Sequence, residues 1–127
     1  MTVRREILPQ RRYCESFDLA FPPFTGKLYT VTLGCHPDGR IAEVFISSHR
    51  KVGSDSDLAA RDTAILISLG LQHGATLENL TGAMTHDAAG RPEGLAGQVL
   101  LHLLDWQRAH PFLQTEFNQG DDHEDQD

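Results

Sequence analysis

The chain opens with about ten residues of no fixed period, and Leu8, standing before Pro9, is steered away from helical geometry. Alternation begins at Tyr13. Tyr13, Phe17 and Leu19 share one parity, with Glu15 breaking the pattern, which predicts a strand over 13–20. Phe21-Pro22-Pro23-Phe24-Thr25-Gly26 reads as a turn, since two prolines donate nothing to a ladder. The clearest strand covers 27–35. Tyr29, Val31, Leu33 and Cys35 fall on one face, Thr30 and Thr32 on the other. His36-Pro37-Asp38-Gly39 signals a tight turn, with proline preset in φ and glycine free to take positive φ. A partner strand over 41–47 completes a three-stranded antiparallel meander.

Near residue 50 the period changes from 2 to 3.6. Ser54-Asp55-Ser56-Asp57 supplies a cap and first-turn acids for a helix over 56–73. Its second half, Ala64-Ile65-Leu66-Ile67-Ser68-Leu69-Gly70-Leu71, is apolar nearly all round. That predicts a central helix wrapped on several sides, with Gly70 allowing close backbone packing. Gly74 ends it as a left-handed cap. Thr76 caps a short helix through 84, with Leu77 and Leu80 inward. Pro92, in a first-turn position, predicts a third helix over 92–109, with Leu95, Val99, Leu103 and Trp106 in one stripe, widened by Leu100 and Leu104. Pro111 stops it, and Phe112, Leu113 and Phe117 are expected to tuck back onto the body. The order β-β-β-α-α-α predicts an α+β fold: a three-stranded antiparallel meander packed against a buried central helix and two further helices. The chain divides into an irregular basic lead-in over 1–12, one domain over 13–117 and an acidic, disordered tail over 118–127.

With 127 residues, one domain is expected, and the 39% apolar content suffices for a core without staples. The net charge is −7, but Asp121, Asp122, Glu124, Asp125 and Asp127 hold five of those negatives, which leaves the body near −2. General nucleic-acid binding is therefore not expected. No apolar run reaches the roughly 18 residues of a spanning helix, and Met-Thr-Val-Arg-Arg-Glu lacks the apolar stretch of a signal peptide. The protein reads as cytoplasmic.

Candidate chemistry is sparse. Cys14 and Cys35 have no metal or redox spacing, and strand parity points them to opposite sheet faces. The seven histidines stand singly, so no metal site is expected. Arg50, Lys51, Gly53 and Ser54, at the start of the central helix, form a candidate anion site, with Arg11 and Arg12 as further bases; Asp55 and Asp57 in the same turn oppose it. Glu43, on the parity of Ile41 and Phe45 within an apolar strand, requires a partner: Arg11, Arg12 or Arg61. In Gln72-His73-Gly74, a last-turn histidine suits the negative helix end. Glu43, Gly70 and Gly74 are read as structural. No catalytic residue is assigned, and no cofactor is expected in this chain.

Four segments carry a family resemblance: Leu8-Pro9 followed by Arg11-Arg12; Gly39-Arg40-Ile41-Ala42-Glu43-Val44-Phe45-Ile46; Lys51-x-Gly53-Ser54; and Ile67-Ser68-Leu69-Gly70-Leu71-Gln72-His73-Gly74. Together, over residues 8–84, they resemble the TSCPD domain, the C-terminal accessory module of adenosylcobalamin-dependent (class II) ribonucleotide reductases. The chain departs from it by lacking the Thr-Ser-Cys-Pro-Asp motif, which Cys35-His36-Pro37-Asp38 echoes only in a turn. The terminal cysteine pair is also missing, and 127 residues leave no room for the catalytic barrel. The resemblance implies a stand-alone accessory or regulatory module in deoxyribonucleotide synthesis, acting by protein contacts, with a ribonucleotide reductase catalytic subunit as candidate partner. The alternative is a small-ligand or nucleotide-binding protein encoded by a mobile element. A homodimer is expected, because a three-stranded sheet has two edges that invite pairing, and Phe21, Phe24, Phe112 and Phe117 exceed what a small core needs.

Overall fold

A computed structural model of the protein describes residues 4–23 and 26–110. The meander is present as β1 (Cys14–Ala20), β2 (Leu28–Cys35) and β3 (Ile41–Ser48), antiparallel in the order β1-β2-β3. It is followed by α1 (Asp55–Gln72), α2 (Leu77–Ala83) and α3 (Leu95–Ala109). The fold is the α+β arrangement that the change of period predicts. Expectations for Phe24, for the 112–117 segment and for the acidic tail lie outside the described residues.

Local chemistry explains the elements. Gly39 turns the β2–β3 hairpin at φ 93°, and the Asp38 carboxylate accepts from the backbone N–H and the Nε of Arg40. At the end of α1, Gly74 takes φ 100°. Its N–H donates to the carbonyl of Leu71 and that of Ala75 to the carbonyl of Gly70, which closes the helix in a Schellman motif. One sheet face carries Leu19, Tyr29, Val31, Leu33, Val44 and Ile46. It packs against Ala60, Ala64, Ile67 and Leu71 of α1 and Val99, Leu100, Leu103 and Leu104 of α3. Glu15, which breaks the alternation of β1, is half-buried because Trp106 Nε1 donates to its Oε2 at 2.6 Å.

Four expectations need correction. α1 is not wrapped on several sides. Its inner face is buried, while Leu58 (52% exposed), Ile65 (55%), Leu66 (71%) and Leu69 (37%) face outward, because one three-stranded sheet and two further helices do not surround it. Gly70 does not mark close packing: a Cβ there would sit 3.7 Å from Leu80, an ordinary contact. α3 starts at Leu95 rather than Pro92, since Pro92 bridges His86 in extended geometry and the N–H of Glu93 donates to the carbonyl of Thr85. Glu43 shares a face with Phe45 but not with Ile41. A bulge at Gly34/Cys35 pairs Cys35 with Ile41, so Ile41 and Ala42 are both buried and the parity shifts.

Two of the helical glycines, Gly70 and Gly97, therefore respond oppositely to alanine. Gly70→Ala gains about 0.5–1 kcal/mol from helix propensity, because its Cβ finds room. Gly97→Ala destabilises by about 1–3 kcal/mol, because its Cβ would lie 2.6 Å from that of the buried Pro92. Denaturant unfolding of the two variants checks both signs.

Candidate functional site

The turn before α1 contains its own anion. Ser54 caps the helix by accepting from the N–H of Asp57. The Asp57 carboxylate, almost fully buried, accepts from the N–H of Ser48 at 3.3 Å, the N–H of Gly53 at 3.1 Å and the Nε of Arg61 at 3.0 Å. The Gly53 amide chiefly holds its pKa below the usual carboxylate range against the opposing effect of burial, helped by Arg61 and Ser48. Asp57 thus occupies the position the sequence reading offered to a bound anion. Arg50 and Lys51 are exposed beside it. Arg11 and Arg12 are not brought there. Arg12 lies on Glu43, near the opposite end of β3, and Arg11 is exposed.

Glu43 settles on Arg12 of the three candidate bases: Arg12 Nε donates to its Oε1 at 2.5 Å. The Glu43 side chain lies over Gly34, where a Cβ would sit 2.7 Å from Oε1 and 2.9 Å from Cγ, so a larger residue there would displace it. Arg12 also donates to the carbonyl of Pro9. Upstream, the N–H of Glu6 donates to the carbonyl of Gln72, Arg5 Nε donates to Gln72 Oε1, and Arg40 clasps Glu6 with both terminal nitrogens. Residues 5–12 of the basic lead-in are therefore strapped across the ends of α1 and β3.

The outer edge of β3 is closed by α1. Along that edge, alternate residues turn their backbone groups outward. Ser68 Oγ both accepts from the N–H of Val44 and donates to its carbonyl, Gln72 Nε2 donates to the carbonyl of Ala42, and Asp57 takes the N–H of Ser48. Three side chains of one helix thus occupy the sites a pairing strand would need. Between the capped positions runs a groove of about 460 Å³, floored by Val44, Ile46 and Ala64 and walled by Phe45, Ile65 and Leu69, with Arg5 and Arg61 at its rim. Phe45 is 56% exposed. The groove joins the exposed Ile65 and Leu69 of α1 to Phe45 of β3.

Other groups offer less. A cavity of about 240 Å³ lies between the hairpin turn and the α1–α2 connection, lined by Glu6, His36, Arg40 and Leu77. The buried His36 Nε2 stands 3.8 Å from Glu6 Oε2. Thr30 Oγ1 donates to Asp18 and also meets His49 Nε2 at 2.7 Å, on the open sheet face. The proton of Thr30 therefore points at the carboxylate and not at the imidazole a nucleophile would need. Burial pushes the Cys35 thiol up to about 12, so it is no thiolate; Cys14 is exposed, and the two form no disulfide. His73 Nδ1 meets the carbonyl of Leu69, the structural role expected for it. No group of three metal-ligating side chains occurs among the described residues.

No family model, no curated protein and no solved structure matches the chain. The face itself was missed by sequence reasoning. Its signal was present: a helix apolar all round, beside a sheet too small to wrap it.

Two predictions follow from the buried carboxylates. The folded-state pKa of Asp57 lies below its unfolded value, so its contribution is full above about pH 4 and is lost as pH falls through the folded pKa. Glu6 and Asp87, also lowered, act in the same direction. In thermal unfolding scans, Asp57→Asn should lower Tm at pH 7 and flatten the acid limb of the stability curve without abolishing it. Arg12→Ala strands Glu43 and costs about 1–3 kcal/mol, read from urea midpoints; Glu43→Gln in the same background should recover part of the loss.

Proposed function

We propose that this chain is a stand-alone accessory module without a catalytic centre of its own, acting by protein contact in the setting of class II ribonucleotide reduction. The observation that carries the contact reading is the apolar face of α1 and β3. Five large apolar side chains, Phe45, Leu58, Ile65, Leu66 and Leu69, are more than a third exposed; Phe45, Ile65 and Leu69 line one groove, and Leu58 and Leu66 stand on the same outward side of α1. A contiguous patch of this kind on a monomer marks an interaction surface. The reductase setting rests on the resemblance over residues 8–84. In this reading the chain brings no cofactor, works in the cytoplasm, pairs with a second copy and engages a reductase catalytic subunit. No described helix is long and apolar enough to cross a membrane.

A second reading, a small-ligand or nucleotide-binding protein of mobile-element origin, has the His36 cavity in its favour. That cavity, at about 240 Å³, falls below the roughly 300–1,000 Å³ of drug-sized ligand sites, which weighs against a nucleotide.

Calorimetric titration of the purified chain into an adenosylcobalamin-dependent reductase catalytic subunit separates the two. The accessory reading expects a saturable complex with a Kd of about 10 μM or tighter and an altered reductase turnover, while the chain alone turns over no ribonucleotide. Absence of heat and of any turnover change at 100-fold excess, together with a thermal shift by nucleotides, would favour the second reading.

A further inference from the structure

α1 has two apolar faces, and only one has a partner. On a helix turning 100° per residue, Leu58, Ile65 and Leu69 lie within about 40° of one another, with Leu66 beside them. Ala60, Ala64, Ile67 and Leu71 form the separate inner face against the sheet. The outer stripe continues across the groove, over Ala64, Val44 and Ile46, to Phe45 on the far side of β3. No described residue covers it.

We propose that a second copy of this chain covers it, two α1 helices packing antiparallel about a two-fold axis. The proposal rests on the reading that the chain acts by protein contact and names the first partner. Area is the first argument. At roughly 150–200 Å² for a fully exposed side chain of this size, the five expose on the order of 500 Å². A standard interface removes about 800 Å² per partner, somewhat more than half of it apolar, so the stripe supplies the apolar part of one such half.

Self-complementarity is the second argument. A two-fold axis crossing α1 midway between Leu58 and Leu69 sets each of the two toward the other in the second copy, so one stripe serves both sides of the contact. Strand addition at this side is disfavoured, because Asp57, Ser68 and Gln72 already cap β3. The pairing is therefore helix on helix, an isologous contact with the same patch on both sides.

The test is sedimentation of the full chain between 1 and 100 μM, alongside Ile65→Glu and Leu66→Glu, two changes at outward positions that leave the core untouched. The wild type should sediment at twice the 14.1 kDa of one chain. Each glutamate should weaken the dimer at least 100-fold, with the circular dichroism of the helices unchanged. A wild type that stays monomeric at 100 μM overturns the proposal. So does a dimer that both glutamates leave intact, which would put the contact elsewhere, such as the β1 edge. Titration with the reductase subunit keeps the two readings apart. A monomer that still binds it removes the dimer alone, and a dimer that does not bind it removes the reductase setting alone.

Discussion

The structure depends on how α1 lies along β3. A helix laid on a sheet face ordinarily leaves the sheet edge to water or to another chain. Here one helix covers both. Ala60, Ala64, Ile67 and Leu71 fill the face, while Asp57, Ser68 and Gln72, spread over its 18 residues, reach the outward backbone groups of the edge strand. Each of these polar side chains makes at least one hydrogen bond to the strand, so the contact is specific in register as well as favourable in burial. The consequence is geometric. A helix held this close to an edge turns its opposite side to solvent, and that side carries Ile65, Leu66 and Leu69.

The lead-in reinforces the same contact from the end. Arg5 and the backbone of Glu6 bind Gln72, the residue that caps Ala42, and Glu6 is clasped by Arg40 of the hairpin turn. The segment then crosses to the open sheet face, where Arg12 neutralises Glu43. The bulge before Glu43 and the absence of a side chain at Gly34 give that carboxylate its bed. What composition presents as a basic, irregular start is thus an ordered strap, in which Arg5 and Arg12 have separate, specific partners.

What the sequence disclosed was local. The Asp38-Gly39 turn, the Thr76 cap, the Gly74 terminator and the inward stripe of α3 are each decided within one or two turns of chain, and each stands as expected. What it concealed was decided by neighbours distant in the chain. Pro92 carries the signature of a first helical residue, but Thr85 and His86 hold it extended. Asp57 opposed an anion site on paper. Its carboxylate being the anion becomes visible only when Ser48 and Gly53 close on it. Ser68 and Gln72 have nothing in their spacing to mark them as caps for a strand some 24 to 30 positions away. Apolar content also carries no label for its partner: Ile67 and Leu66 are neighbours of equal hydrophobicity, one in the core and one 71% exposed.

That indifference is why the outer face bears on function. A buried apolar residue is explained by folding alone, whereas four large ones held outward on an edge-capping helix, with Phe45 beside them on β3, are not, since the fold would keep its core without them. Polar residues at 58, 65, 66 and 69 would cost the inner face nothing and would lessen aggregation. The reductase setting and the identity of the covering surface are separate questions, because the resemblance lies in the segments that build the scaffold: the strap, the β3 strand, the capped turn and the helix end. Of the outward stripe, those segments include only Phe45 and Leu69, so the greater part of the face lies outside them, and its occupant follows from the face's area and self-complementarity and not from the resemblance.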